Sequence, residues 1–157
     1  MALLNIVKLG DPTLRKHCRP VGEITGRTLT LLDDMTETMR HADGCGLAAP
    51  QVGILRRIVV IETEPGTVYE MINPEIVAFA GHQEEAEGCL SIPGRAGITS
   101  RPAYVTVRYT DREGKTCQLR GEGLLARAIC HECDHLDGRL FIDKGIQIRS
   151  LNEETEV

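Results

Sequence analysis

Apolar residues recur with helical spacing in the first third of the chain. After Gly26 they follow one another at intervals of three or four residues, which places them along one face of an α-helix. We predict an amphipathic helix that ends near Ala42, with Gly44 as its C-terminal stop. The face expected to pack on the core consists of Leu29, Leu32, Met35 and Met39.

Two other segments have helical patterns. Asp11 and Pro12 provide an N-cap and a first helical residue, so a short helix is expected through about Cys18. Residues 122–136 are apolar on nearly all sides of a helix, which is typical of a helix buried in the middle of a fold. Imidazole and carboxylate side chains in such a helix therefore suggest a function.

The middle of the chain contains short runs of β-branched residues separated by Gly, Pro and Asn, which predict strands. The turn sequence at residues 111–114 joins two of these runs into a hairpin and favours antiparallel pairing. We expect an α+β fold in which short antiparallel sheets pack around the buried central helix. One domain over residues 1–157 is expected, with an acidic, frayed tail from about residue 150, because no repeat or linker interrupts the pattern. The predicted strands are residues 57–62, 67–72, 75–80, 104–110 and 116–119.

Composition excludes several classes of protein. Hydrophobic residues make up 41% of the 157 positions, enough for a sizeable core, and the 26% of charged residues do not suggest disorder. A net charge of −5 and only 3% aromatic residues are unfavourable for direct nucleic-acid binding. The chain has no secretory signal pattern and no apolar run long enough to cross a membrane. We expect a cytoplasmic protein with reduced thiols and no membrane association.

His131, Glu132 and His135 form the sequence H-E-x-x-H in the predicted buried helix. At about 100° per residue, the two imidazoles lie about 40° apart on one face, so both can reach one metal ion. A glutamate beside the first ligand can hold a water molecule and act as a general base, as in zinc hydrolases. The alternative is that two core histidines fall four residues apart by chance.

A catalytic metal site also needs a third protein ligand. Phe141 stands where the elongated metalloprotease motif requires a third histidine, which disfavours that class of protease. The glutamates that remain downstream lie in the polar tail, so we expect the third ligand upstream. These excluded candidates are Glu153, Glu154 and Glu156.

Cysteine is the obvious upstream ligand, and the chain has six. Cys130 and Cys133 spell C-x-x-C, but the helical wheel directs both away from His131. We interpret them as small buried hydrophobes rather than a redox pair. Cys89 differs because a strand is expected to end there among small neighbours, which leaves backbone N–H groups free to point at a ligand.

Residues 44–51 begin with two glycines around Cys45 and include two consecutive alanines. One interpretation is a helix C-cap followed by a turn. The other is a segment that a substrate backbone approaches closely, with Gln51 as an amide donor. The segment alone leaves both open.

Three motifs taken together resemble those of the peptide deformylases, in the order and spacing of that family. The resemblance extends over about residues 4–145. The motifs are Gly44-x-Gly46-x-Ala48-Ala49-x-Gln51, Glu87-Gly88-Cys89-Leu90-Ser91 and His131-Glu132-x-x-His135.

The resemblance implies that Cys89, His131 and His135 bind one divalent metal ion. The ion is usually Fe²⁺ in this family, and Zn²⁺, Ni²⁺ or Co²⁺ can occupy such a site. The implied activity is that of a hydrolase, which removes the N-formyl group from the N-terminal formylmethionine of newly synthesised polypeptides and releases formate. A metal-activated water would attack the formyl carbon while Glu132 acts as general base and then general acid.

The resemblance also implies roles in substrate binding. The backbone N–H of Leu90 and the side-chain amide of Gln51 would stabilise the oxyanion. The peptide would lie extended beside the glycine-containing segments, and an apolar pocket would take the methionine side chain. Arg127 either borders the entrance of this pocket or is an ordinary solvated arginine. The residues expected to bind substrate are Gly44, Cys45, Gly46, Gly88, Leu124 and Ala128.

Two supporting contacts are expected near the site. Glu87 and Arg101 occupy positions that the resemblance assigns to an ion pair behind the metal, with two unrelated surface charges as the alternative. Asp134 is a further candidate acceptor for a ligand imidazole.

The expected partners are formylmethionyl nascent peptides in a bacterial cytoplasm. Some relatives carry a basic C-terminal helix, whereas the acidic end of this chain is unsuited to docking on ribosomal RNA, so only transient ribosome proximity is expected. Two other functions stay open. They are a related amidase that acts on another N-acyl group and a non-catalytic metal-binding module.

Overall fold

The computed structural model describes residues 2–143 and 146–150. In these ranges the chain forms helices α1 (Gly26–His41) and α2 (Leu124–Leu136) and strands in two sheets. One sheet has the order β1-β2-β3-β6-β7 and the other β4-β5-β8, and all their strand pairs are antiparallel. The expected antiparallel sheets are therefore confirmed. The strands are β1 (Gly46–Ala48), β2 (Ile58–Glu64), β3 (Thr67–Ala80), β4 (Gln83–Cys89), β5 (Ile92–Arg101), β6 (Tyr104–Thr110), β7 (Thr116–Glu122) and β8 (Ile146–Ser150).

Helix α1 packs through the predicted apolar face. Leu32, Met35 and Met39 are fully buried, and Leu29 packs against the same cluster. The predicted stop is wrong in detail, because Asp43 and not Gly44 adopts the left-handed conformation, with φ of 57°. The N–H of Gly44 donates to the carbonyl of Met39 at 2.9 Å, which closes the helix end.

Strand β2 lies between the two helices and is buried on both faces. Its side chains alternate, as strand geometry requires. Ile58 and Val60 join the cluster under α1, whereas Val59 and Ile61 join the cluster under α2. This alternation explains why the first four residues of the strand are all apolar.

The predicted short helix is only a 3₁₀ turn over Pro12–Arg15. Asp11 caps it as expected, because its carboxylate accepts from the N–H of Thr13 at 2.9 Å. The chain becomes extended at Lys16, and the N–H of Cys18 donates to the carbonyl of Leu136 at 2.8 Å. This contact with the end of α2 takes the place of the expected continuation.

The strand predictions succeed where β-branched residues alternate. The hairpin of β6 and β7 is confirmed, and the predicted bounds of β6 match the observed ones. The runs 67–72 and 75–80 are a single strand, β3, which continues through an irregularity at Asn73. Asn73 has φ of 53°, and its side chain donates to the carbonyl of Val21 and accepts from its N–H, both at 2.8 Å.

Helix α2 starts later than predicted, because Glu122 belongs to β7 and Gly123 turns the chain with φ of 59°. The helix contacts strands of both sheets. It is not buried on all sides as expected, since Leu124 is 46% exposed and Asp134 is half-buried. Within the described residues, neither helix is both long and apolar enough to cross a membrane. The predicted acidic tail at residues 151–157 lies outside the described residues.

Candidate metal centre

Helix α2 brings the H-E-x-x-H side chains together on one face. The Nε2 atoms of His131 and His135 are 3.3 Å apart, and both histidines are buried. Cys89, the last residue of β4, has its Sγ atom 3.3 Å from Nε2 of His135. The three potential ligand atoms lie within 4.8 Å of one another, which is close enough to hold one ion. No other group of at least three His, Cys, Asp or Glu side chains in the described ranges meets this condition.

The chemistry of these residues fits a divalent metal. One thiolate and two imidazoles suit borderline ions of the Fe²⁺ and Zn²⁺ type. Glu132 follows the first histidine and is 4% exposed, and its Oε1 atom is buried without a hydrogen-bond partner in the protein. A buried carboxylate oxygen without a partner is costly, so this atom fits a place where water and a cation gather.

Glu87 holds the first histidine from behind. The Nδ1–H of His131 donates to Oε2 of Glu87 at 2.5 Å, which leaves Nε2 of His131 free for the metal. Arg101 donates to the same carboxylate at 2.7 Å and Thr99 at 2.8 Å. The expected ion pair of Glu87 and Arg101 is therefore confirmed, and it is buried.

Asp134 does not orient a ligand as expected. Its carboxylate accepts from Nη1 of Arg101 at 2.6 Å.

Burial opposes ionisation of Glu87, but the hydrogen bonds from His131 and Arg101 outweigh it and lower the pKa of Glu87 to about 2. Burial has the opposite outcome at Glu132, where it raises the pKa to about 7.

Gln51 lies beside the cysteine ligand. Its Oε1 atom accepts from the N–H of Ala48 at 2.9 Å, which fixes the orientation of the side chain. Its Nε2 atom donates to Oγ of Ser91 at 3.1 Å and to Sγ of Cys89 at 3.6 Å. The sequence analysis did not predict a role for Ser91, although Ser91 is the last residue of the motif that contains Cys89.

A cleft of about 390 Å³ opens next to these side chains. It lies between two sheet edges, because β1 and β4 are the outermost strands of their sheets. Residues 44–51 are therefore not simply a helix C-cap followed by a turn. Gly46–Ala48 of this segment form strand β1. Every residue expected to bind substrate lines the cleft, together with Gln51, Cys89, Leu90, His131 and Glu132. Arg95, which sequence reasoning missed, and Arg127 also line it.

Two glycines bring the backbone of this segment close to the site. A Cβ atom on Gly46 would lie 2.5 Å from Oε2 of Glu132, and one on Gly44 would lie 2.6 Å from the side chain of Leu90. Gly88 has more room, since a Cβ atom there would lie 3.6 Å from the carbonyl oxygen of Arg95. Glycine is therefore required at positions 44 and 46 by the neighbouring side chains of Leu90 and Glu132, and the approach of a substrate backbone to this segment stays a prediction.

The C-x-x-C cysteines are not part of the ligand group. Cys130 is part of the core cluster under α2, and Cys133 packs against that cluster. Burial raises the pKa of the Cys133 thiol, which makes it a poor nucleophile. Their interpretation as buried hydrophobes agrees with this environment.

Comparison with known proteins identifies the family of this chain. The model of the polypeptide deformylase family matches residues 3–152. A peptide deformylase of Thermoanaerobacter pseudethanolicus is 54% identical over all 157 residues and 98% of its own length. One from Caldanaerobacter subterraneus subsp. tengcongensis is 57% identical over 98% of this chain and 95% of its own.

The chain is also similar in structure to solved peptide deformylases. A peptide deformylase from Legionella pneumophila superposes with a TM-score of 0.90 at 42% identity, over 93% of this chain and 88% of that one. One from Synechococcus elongatus, in complex with actinonin, also has a TM-score of 0.90, at 40% identity over 97% of this chain and 88% of that one. Because the family model and these relatives span nearly the whole chain, the protein belongs to the polypeptide deformylase family.

Proposed function

We propose that Glu132 and a metal ion held by Cys89, His131 and His135 carry out the reaction of this chain, which is the removal of the formyl group from N-terminal formylmethionine. The observation that carries this proposal is that three ligand atoms and one buried carboxylate oxygen, which has no hydrogen-bond partner among the described residues, come together beside a cleft between two sheet edges. When bound, the metal supplies Lewis-acid polarisation and lowers the pKa of water. Fe²⁺ is assigned by family resemblance, since the donor set also suits Zn²⁺, Ni²⁺ and Co²⁺.

Glu132 moves the proton. Its carboxylate accepts a proton from water as the water oxygen bonds to the formyl carbon, and then gives that proton to the nitrogen as the carbon–nitrogen bond breaks. The products are formate and the free amino group of methionine. Burial of Glu132 among α2 and β1 keeps bulk water from competing for this proton.

Gln51 and Leu90 stabilise the oxygen that becomes negative. The Gln51 amide is anchored through its own oxygen to Ala48, so its N–H groups stay beside Cys89 without a reorganisation cost. The N–H of Leu90 follows directly after the cysteine ligand in the chain. Each donor is expected to contribute about 10²- to 10³-fold to the rate.

The substrate lies extended between β1 and β4. Both strands have an unpaired edge at the cleft, and Gly44, Gly46 and Gly88 allow a peptide backbone to approach. The methionine side chain packs on Cys45, Leu124 and Ala128. Leu124 is 46% exposed, so it has apolar surface available for this contact.

The cellular setting follows from this substrate. The partners are formylmethionyl nascent peptides, which places the protein in a bacterial cytoplasm near translating ribosomes. We take residues 1–157 as a single catalytic domain built around α2.

The test is formate release from a formyl-Met-Ala-Ser peptide by protein purified without oxygen and loaded with Fe²⁺ or Zn²⁺. Glu132→Ala should lose at least about 10²-fold in kcat, because the proton acceptor is gone. Glu122→Ala, which removes an exposed carboxylate on β7, should keep full activity. Full activity of Glu132→Ala, or no release by folded and metal-loaded protein, would refute the proposal.

An N-acetyl peptide separates the remaining enzymatic alternative. The deformylase should strongly prefer the formyl substrate, because the acetyl methyl group needs room beside the carbonyl. Comparable rates on both peptides would instead favour a general amidase.

A further inference from the structure

A second groove, larger than the catalytic cleft, lies at the start of α1. Its volume is about 790 Å³, and none of its lining residues lines the catalytic cleft. Residues 19–23, the first turns of α1 and the loop after Gln51 form its walls. The proposed reaction uses no residue of this groove.

The groove carries three arginines without an ion-pair partner in the part of the chain that the structure describes. Arg19, Arg27 and Arg56 are exposed, and among the described residues no carboxylate forms an ion pair with any of them. Glu23 is the one acidic residue in the lining. Such a local excess of positive charge is unexpected in a chain with 23 acidic and 18 basic side chains. The N-terminal turn of α1 adds the positive end of the helix dipole.

Backbone pairing holds two of the arginines side by side. Arg19 and Arg56 form an isolated β-bridge, in which the N–H of Arg19 donates to the carbonyl of Leu55 at 3.1 Å. The N–H of Arg57 donates to the carbonyl of Arg19 at 3.0 Å. The like charges are therefore kept together by the fold, although repulsion would separate them on a free loop.

The floor of the groove is aliphatic. Ile54 is 40% exposed, and the side chains of Val21, Leu31 and Leu55 are half-buried around it. A nucleic acid would cover the arginines but leave this apolar surface wet, and the lining has no aromatic ring on which a base could stack. Carboxylates on a peptide that also carries aliphatic side chains would satisfy both features.

We propose that this groove binds an acidic, aliphatic segment of another protein. The arginines pair with its carboxylates, and the aliphatic floor covers its apolar side chains. Binding is independent of deformylation, because the two sites share no residue.

The test uses a labelled peptide built only of glutamate and leucine, with metal-loaded full-length protein and fluorescence anisotropy. A peptide of glutamate and serine with the same charge should bind at least about tenfold more weakly, because it buries no leucine. Single-stranded RNA of the same charge should bind more weakly than the glutamate and leucine peptide. Affinity should also fall with added salt.

Charge reversal tests the arginines. The double variant Arg27→Glu, Arg56→Glu should weaken peptide binding by about tenfold or more. The double variant Arg108→Glu, Lys115→Glu is the matched control, since it reverses the same number of exposed charges outside the groove, and it should bind like the wild type. Thermal melting and formate release should be unchanged in both variants, so a failed fold or a failed deformylase assignment is distinguished from a failed groove.

Three results would overturn the proposal. They are equal binding of the peptide to wild type and double variant, tighter arginine-dependent binding of RNA, and self-association of the protein that the double variant abolishes. The second result would assign the groove to nucleic acid, and the third to a second copy of this chain.

Discussion

At the scale of single residues, the position of the Glu132 side chain depends on the absence of a side chain at Gly46. The carboxylate occupies the space that any side chain at position 46 would need. A larger residue at position 46 therefore displaces the proposed general base without touching the metal ligands.

We predict that Gly46→Ala lowers kcat for a formylmethionyl peptide by about 10²-fold, because a displacement of about 1 Å can have this effect. The melting temperature should change little, since the group that must move is the end of a flexible side chain. Gly26→Ala is the control, as a Cβ there meets nothing within 4 Å. Unchanged kcat in Gly46→Ala would show that Glu132 does not need its observed position.

Arg101 is a second residue whose role depends on its surroundings. It is 3% exposed and bridges the carboxylates of Glu87 and Asp134. An arginine in this position neutralises two carboxylates that the fold has already withdrawn from water.

We predict that Arg101→Met lowers the free energy of unfolding by about 3 kcal/mol or more, because it leaves buried charge uncompensated. Urea denaturation of chelated protein measures this. Lys115→Met removes a pair with Glu113 in which both side chains are largely exposed, and it should have no measurable effect, because water and salt screen that pair. Equal changes in the two variants would contradict the importance of burial.

At the scale of elements, Arg57 holds the C-terminal end of α2. This arginine directly precedes β2 in the chain. Nη1 of Arg57 donates to the carbonyl of Leu136 at 3.1 Å, and Nη2 pairs with Asp137 at 3.0 Å. A cation at this end of a helix satisfies terminal carbonyls and complements the dipole.

We predict that Arg57→Met destabilises the chelated protein by about 1–2 kcal/mol, because the carbonyl of Leu136 loses one of its two donors and Asp137 loses its arginine partner. The neighbouring Arg56→Met is the control, because Arg56 is exposed and has no ion-pair partner among the described residues. Urea denaturation of both variants should show a clear loss only for Arg57→Met, and an equal loss would mean that the helix end needs no cap.

Elements also differ in how well local sequence describes them. Strand β6 alternates β-branched residues and was predicted with its observed bounds. The strand expected to end at Cys89 is confirmed as β4, but its hairpin with β5 was missed, because β4 is rich in glutamate and β5 contains glycines. Their strand conformation comes from pairing with each other, which local propensity does not report.

At the scale of the whole molecule, the candidate metal centre joins parts of the chain that are distant in sequence. Cys89 ends a strand of the smaller sheet, whereas His131 and His135 belong to a helix that packs on the larger one. An ion bound by all three ligands would link the smaller sheet to α2.

We predict that removing the metal with a chelator lowers the melting temperature by about 5–10 °C, since an ion at 100 times its Kd contributes about 2.7 kcal/mol. Cys89→Ser should melt at the same temperature with and without chelator. Cys117→Ser should keep the difference, because Cys117 is not in the ligand group. A chelator effect that persists in Cys89→Ser would place the ion elsewhere.

The sequence by itself determined what local geometry controls. The helical period aligned His131 with His135 and formed the buried face of α1, and alternation specified the β6–β7 hairpin. The family motifs also pointed to Cys89 and Gln51 without any distance. Only the tertiary structure decided that Asp134 pairs with Arg101, that Glu87 holds His131, and that arginines surround an aliphatic groove. These contacts join residues far apart in the chain, so they depend on sheet pairing and core packing, which no local pattern encodes.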